Sequence, residues 1–270
     1  WVQDIPALAA VCRAQGVSLL VDNAHGAYLR FLPQNCHPIA QGAAMCCDSA
    51  HKTLPVVTGG AYLHLAHDAP VQDEAAVRGA LALFGSTSPS YLILQSLDAC
   101  NAVLAGDYPR RLAQCCAALE GLRRSLNKAA AVRQCPVPLA VAGTQQEPMK
   151  LTLDAAALGC TGTALAESLR RAQMECEYAD PRYVVLMFTT ENPPQDYTRL
   201  QAALEQLLAA VPAGLPRPEN RAGEFAALQQ QAVQRCTIRQ AVLGAQVRVP
   251  VYKALGRVCA MPTVSCPPAI

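Results

Sequence analysis

Lys52 sits in the stretch DSAHKTLP, residues 48–55, directly after the apolar run of residues 43–47 and shortly before Gly59-Gly60. A lysine amine can act as a nucleophile only when it is partly deprotonated, which calls for a desolvated or cation-rich setting. A second stretch, VDNAHGAY at residues 21–28, supplies Asp22, Ala24 and His25. Each group alone has an ordinary explanation. A carboxylate at a strand end caps the next turn, a lone histidine is a hydrogen-bonded structural residue, and Ser49 is a loop serine. As a pair the segments say more, because each carries small residues and a histidine, one with an aspartate and the other with a lysine. That set suits an aldehyde cofactor held between them. Lys52 would form the Schiff base and Asp22 would keep a pyridine nitrogen protonated, as an electron sink requires. Ser49 and His51 would hold a phosphate handle.

These groups need elements to hold them. Residues 4–15 read as a helix, with Asp4 as N-cap, Pro6 in the first turn and Gly16 past the end. The run VSLLVD, 17–22, reads as a strand buried on both faces of a parallel sheet. The run at 43–47 reads as a second strand and residues 60–65 as a third. In open α/β sheets ligands bind beyond the carboxyl ends of the strands, where both stretches fall. Residues 73–83 read as a helix and 84–90 as a loop. Residues 91–105 read as a long helix continuing to about Leu126. After a proline-rich shift at 133–148, strands at 149–153, 175–178 and 183–188 alternate with helices at 161–173 and 193–210, capped by Thr161 and Asn192. This order suggests a small α+β unit with an antiparallel sheet. Residues 212–220 read as a linker, followed by a Gln-rich helical segment and a proline-rich end.

Composition narrows the function classes. Hydrophobic residues make up 52% of the 270 and charged residues 16%, enough for a substantial core. With 22 basic and 20 acidic residues, and no basic stripe interleaved with aromatics, a nucleic-acid partner is not expected. No apolar run reaches membrane-span length, and no signal-peptide pattern is visible. The start at Trp1 and the end in VSCPPAI read as a piece of a longer chain. The 13 cysteines are odd in number and form no C-x-x-C pair, so they read as reduced thiols serving as small hydrophobes in a cytoplasmic protein. No metal is expected, because the spacing of His25, His51 and His64 matches no ligand motif.

The stretches VDNAHGAYLRFL and DSAHKTLPVVTGGAYLH resemble the pyridoxal-phosphate enzymes of the ornithine/lysine/arginine decarboxylase family, within the aspartate-aminotransferase-like superfamily. So do LFGSTSPSYLILQSLD at 83–98, ECEYADPRYVVLMFTTENPPQDYTRL at 175–200 and GRVCAMPTVSCPP at 256–268. The resemblance implies an α/β fold: part of a cofactor-binding large domain over 1–132, a small α+β domain over 133–211, and a linker with a C-terminal segment over 212–270. It implies pyridoxal 5'-phosphate as cofactor, with Lys52 as the covalent attachment point and Lys52 and His25 as catalytic groups. Asp22 would salt-bridge the pyridine nitrogen, Ala24 would pack on the ring, His25 would lie near the cofactor oxygen and the substrate carboxylate, and Ser49 and His51 would bind the phosphate. Ser86 and Thr87 would reach the neighbouring subunit's phosphate in a homodimer. Position 23 is Asn where many members have Glu, and the family's earlier phosphate loop and ring-stacking residue have no counterpart in this chain. The implied activity is decarboxylation of lysine, arginine or ornithine to the amine. The alternatives are another reaction on the same cofactor, such as amino transfer or elimination, or an inactive relative. Glu177 and Asp180 read as a solvated strand end, and Arg257 as a surface salt-bridge residue.

Overall fold

Asp4 opens the first helix, α1 (Ile5–Ala14), by accepting the Ala7 N–H at 3.0 Å, and Ile5 and Ala9 bury its inner face. The computed structural model describes residues 3–71, 73–143, 146–212, 215 and 235–258. Gly16 turns the chain at φ +64°, a value that favours glycine. Strand β1 (Leu20–Asp22) follows and pairs in parallel with β2 (Met45–Asp48), Val21 opposite Cys46. Strand β3 (Tyr62–Leu65) runs antiparallel on the other side of β2, with Cys46 opposite His64. The expected strand at 17–22 is therefore half as long, and it is not buried on both faces: Leu20 is 62% exposed. Among the described residues β1 is an edge strand, so one of its sides has no strand against it. A single helical turn, α2 (Ala50–Thr53), leaves the end of β2 and carries His51 and Lys52.

Asp73 caps α3 (Glu74–Phe84) by accepting the Ala75 N–H at 2.9 Å. The helix expected to run unbroken from 91 to about 126 is two helices, α4 (Tyr91–Ala105) and α5 (Tyr108–Val132). Gly106 leaves helical geometry at φ −89°, ψ −126°, and Pro109, which lacks the N–H that a helix interior needs, sits in the first turn of α5.

The second sheet is antiparallel throughout, in the order β4 (Lys150–Asp154), β6 (Tyr183–Met187), β5 (Tyr178–Ala179). Helix α6 (Gly162–Arg171) is capped by Thr161 as expected, its hydroxyl accepting the Ala164 N–H at 3.2 Å. Helix α7 (Pro194–Ala209) is not capped by Asn192. Pro193 takes the cap position, while Asn192 Oδ1 accepts the Thr189 N–H at 2.8 Å and its amide donates to Asp196 at 2.8 Å. Thr237 and Gln240 form a reciprocal capping box at α8 (Ile238–Leu243). Most of the linker, the Gln-rich segment and the motif residues from 259 onward lie outside the described residues.

Two apolar clusters hold these layers. One joins Tyr28, Leu54, Cys100, Tyr108, Leu112 and Met149 beneath the first sheet. The other joins Leu119, Leu126, Leu151, Leu153, Leu169 and Leu204 beneath the second. Helix α5 serves both, Tyr108 and Leu112 in the first and Leu119 to Ala130 in the second. Ten cysteines among the described residues, from Cys12 to Cys176, are free. Burial pushes their thiols up where a shift is resolved, Cys116 to about 11, as inert packing thiols require. No described helix is long and apolar enough to cross a membrane.

Candidate active site

Parallel pairing of β1 with β2 sets the two candidate segments side by side. Asp22 lies opposite Cys47, and the Asn23 N–H continues the ladder to the Cys47 carbonyl at 2.9 Å. Residues 22–25 and 49–52 thus leave neighbouring strands in the same direction, at the carboxyl end of the sheet. Asp22, Ala24, His25, Ser49, His51 and Lys52 are brought together at this end. Ser86 and Thr87 are not. They lie in an exposed loop between α3 and α4, where the Ser86 hydroxyl accepts the Ser88 N–H at 3.1 Å.

Asp22 is exposed, and one of its oxygens accepts the Ala24 N–H at 3.2 Å. Lys52 is exposed too, its backbone N–H bonded to Ser49 at 3.0 Å. Schiff-base chemistry at Lys52 calls for a desolvated or cation-rich setting, whereas both Asp22 and Lys52 are exposed in this chain. Ser49 occupies the cap position of α2 without using its hydroxyl as a cap. His51 Nδ1 lies 3.0 Å from the Gly60 carbonyl, which also accepts the His51 N–H at 3.2 Å. That pair of bonds ties the Lys52 turn to the start of β3 and leaves Nε2 as the ring's other polar atom. Gly60 is required here, since a Cβ would stand 2.3 Å from Val56 Cγ1.

His25 has a neighbour that no spacing pattern reveals. Lys150 Nζ, at the start of β4, lies 3.2 Å from His25 Nδ1 and 2.9 Å from Glu147. Tyr28, fully buried, donates its hydroxyl to Glu147 at 3.2 Å. Arg123 in α5 binds the carbonyls of Glu147 and Lys150 and so fixes this strand start. His25, Glu147 and Lys150 line a cavity of about 440 Å³ together with Asp22, Asn23 and Ala24. Burial lowers the His25 pKa, and the nearby cations Lys150 and Lys52 lower it further. His25 is therefore neutral at pH 7 and able to accept or pass a proton. Because the folded pKa lies below the unfolded value of 6.5, the His25 contribution to stability is fully present above pH 6.5. It is lost as pH falls towards the folded pKa. An NMR titration of the His25 ring should give a midpoint below 6.5; a midpoint at or above 6.5 would contradict this electrostatic account.

Asn23 also has a specific partner. Its amide donates to Asp48 Oδ1 at 2.8 Å, and Asp48 is buried. A glutamate at 23, as the resemblance expects, would set a second carboxylate against a buried one, a like-charge contact that burial makes costly. Asparagine turns that contact into a hydrogen bond.

The residues at the strand ends fit pyridoxal phosphate by their chemistry: an amine, a carboxylate, a small residue between them, a neutral imidazole, and a serine hydroxyl not engaged in capping. Comparison with known proteins points the same way. Residues 3–146 match the family model for the Orn/Lys/Arg decarboxylase major domain. An uncharacterized protein of Bacillus subtilis, YaaO, is 33% identical over 191 residues, covering 68% of this chain and 38% of that protein. An arginine decarboxylase of Bacillus subtilis is 28% identical, covering 76% of this chain and 42% of its own. One of Bacillus cereus is 25% identical over the whole of this chain and 58% of its own. The chain thus spans 38 to 58% of the length of these relatives. The structure of the Escherichia coli constitutive lysine decarboxylase superposes with a TM-score of 0.56 at 18% identity, over 72% of this chain and 33% of that one. The Francisella novicida lysine decarboxylase gives 0.58 at 20% identity, over 70% and 32%. At these identities the structures show a shared α/β fold. With the family model covering more than half its residues, the chain belongs to the Orn/Lys/Arg decarboxylase family.

Proposed function

We propose that this chain carries the cofactor lysine and the pyridine-binding aspartate of a pyridoxal-phosphate-dependent decarboxylase acting on a basic amino acid. The observation that carries the reading is the parallel pairing of β1 and β2, which sets Asp22 to His25 beside Ser49 to Lys52. Arginine decarboxylases among the relatives and lysine decarboxylases among the similar structures support a basic substrate. When bound, the cofactor supplies a sink for the electron pair left at Cα as carbon dioxide departs. Lys52 would anchor it covalently and give way to the substrate amine. Asp22 would hold the proton on the ring nitrogen, and Ala24 would lie against the ring face. Ser49 and His51 Nε2 would bind the phosphate. Lys52 or His25 would deliver the proton that replaces the carboxylate at Cα.

The same reading assigns residues 1–132 to the large domain, 133–211 to the small domain and 212–270 to the C-terminal region, in a homodimeric cytoplasmic enzyme. Phe84 and Tyr91 flank the Ser86-Thr87 loop and are 93% and 83% exposed. Large apolar side chains so exposed suit a subunit contact, through which Ser86 and Thr87 would reach the partner's phosphate. Amino transfer or elimination would use the same lysine and aspartate and is the second reading.

The test is to assay the natural full-length chain, with cofactor, against lysine, arginine and ornithine. The expected products are carbon dioxide and the matching amine from one of the three. A keto acid in place of an amine would overturn decarboxylation in favour of amino transfer.

A further inference from the structure

Cys46 and Asp48 alternate onto one face of β2, and pairing puts His64 of β3 opposite Cys46 on that same face. The chain returns to this face through His37, just ahead of the short 3-10 turn Pro38–Gln41. The result is a buried polar cluster that spacing along the chain does not suggest. His37 Nε2 lies 3.0 Å and His64 Nε2 2.9 Å from the same oxygen, Asp48 Oδ2. Asp48 and His37 are buried, while the His64 side chain is 40% exposed. The other carboxylate oxygen is engaged from behind by the Asn23 amide at 2.8 Å and the Cys46 thiol at 3.5 Å. Burial raises the Asp48 pKa, but hydrogen bonds from His37, His64 and Asn23 outweigh it and hold the group ionised, well below the usual carboxylate range.

We propose that His37, Asp48 and His64 form a binding site for a divalent first-row transition ion, with its open coordination positions facing the adjoining cavity. The three donor atoms lie within 4.8 Å of one another. Bonds of about 2.1 Å to imidazole nitrogen and carboxylate oxygen, drawn across separations of 2.9 and 3.0 Å, subtend angles of about 90° at the ion. That is the angle between adjacent ligands in an octahedral shell. Two imidazoles and one carboxylate with open positions suit iron, cobalt, nickel or zinc rather than calcium or magnesium, which prefer all-oxygen shells. Asn23 and Cys46 supply the outer-shell bonds that orient a ligating carboxylate. The cavity has a volume of about 580 Å³ and is lined by Arg30, Asn35, Tyr62 and Asn101 as well as the three ligands. It leaves room for water or a small oxygen ligand to complete the shell.

Binding requires each neutral imidazole to carry its proton on Nδ1, so that Nε2 offers a lone pair. At His37 this gives up the bond from the Ile39 N–H to Nδ1, which at 3.4 Å is a long one. The site uses no side chain assigned above to the cofactor, so its failure would leave the decarboxylase reading untouched, and the converse holds.

Tag-free, metal-free full-length chain should be titrated with cobalt(II), followed by calorimetry and by visible ligand-field absorption. The expected result is one ion per chain, with affinity reduced at least about 100-fold in Asp48→Asn and in His64→Ala, and unchanged in the control His67→Ala. His64 is partly exposed, so H64A decides the matter alone if D48N fails to fold. No stoichiometric uptake by the wild type, or uptake undiminished in H64A, would overturn the proposal and leave Asp48 as a carboxylate held by hydrogen bonds only.

Discussion

Replacing Lys52 with alanine should abolish amine formation by the full-length protein, lowering kcat by about 10⁴-fold or more. The size of the effect follows from the role. A lysine that anchors the cofactor and then returns a proton acts in several steps, and no neighbour can take over all of them. Lys150 is the nearest other amine identified beside His25, but it is paired with Glu147 at 2.9 Å and lies on β4 rather than on the turn after β2. The substitution is also a clean one. The Lys52 side chain is exposed and has no ion pair or hydrogen bond among the described residues, so the fold should be unchanged by circular dichroism. Wild-type release of carbon dioxide by K52A would remove Lys52 from the mechanism.

Asp22→Asn should lower kcat by about 10²- to 10³-fold while leaving the cofactor attached to Lys52. Asparagine keeps the shape and the oxygen that accepts the Ala24 N–H at 3.2 Å, but loses the charge. Without that charge the ring nitrogen is no longer held protonated, and the electron pair at Cα meets a poorer sink. The loss should appear in kcat, with KM nearly unchanged, because the substrate still binds through the same groups. An unchanged kcat in D22N would mean that another group holds the ring nitrogen.

How much of this was legible in the sequence depends on how local the determinant is. Asp4 and Thr161 announced their helices, because a cap is a contact between residues three apart. The antiparallel character of the second sheet followed from the alternation of strands, helices and turn residues, although the strand expected at 175–178 is the two residues Tyr178–Ala179, and the β1 and β2 ends were marked by short apolar runs followed by polar residues. Three local readings failed. Burial of β1 was overestimated, since an apolar run cannot say whether another layer covers it, and Leu20 is exposed. The break at Gly106 was missed because the apolar pattern runs through it, although Gly106 and Pro109 carried the signal. Asn192 looks like a cap by type, but its side chain is engaged with Thr189 and Asp196. The contacts that shape the site were out of reach altogether. His25 and Lys150 are 125 residues apart; His64 meets Asp48 only because β3 folds back antiparallel on β2, and His37 reaches the same oxygen from the turn ahead of β2. The motif residues themselves were visible, being local; the groups that tune them come from distant parts of the chain.

The central claim is a covalent bond between the cofactor aldehyde carbon and the Lys52 amine. Reduction of the cofactor-loaded full-length protein with borohydride, followed by proteolysis and mass spectrometry of the labelled peptide, tests it most directly. The account predicts one pyridoxyl group per chain, on the peptide bearing Ser49 to Thr53 and on Lys52 within it. A label on Lys150 or any other lysine, or no label at all, would contradict it.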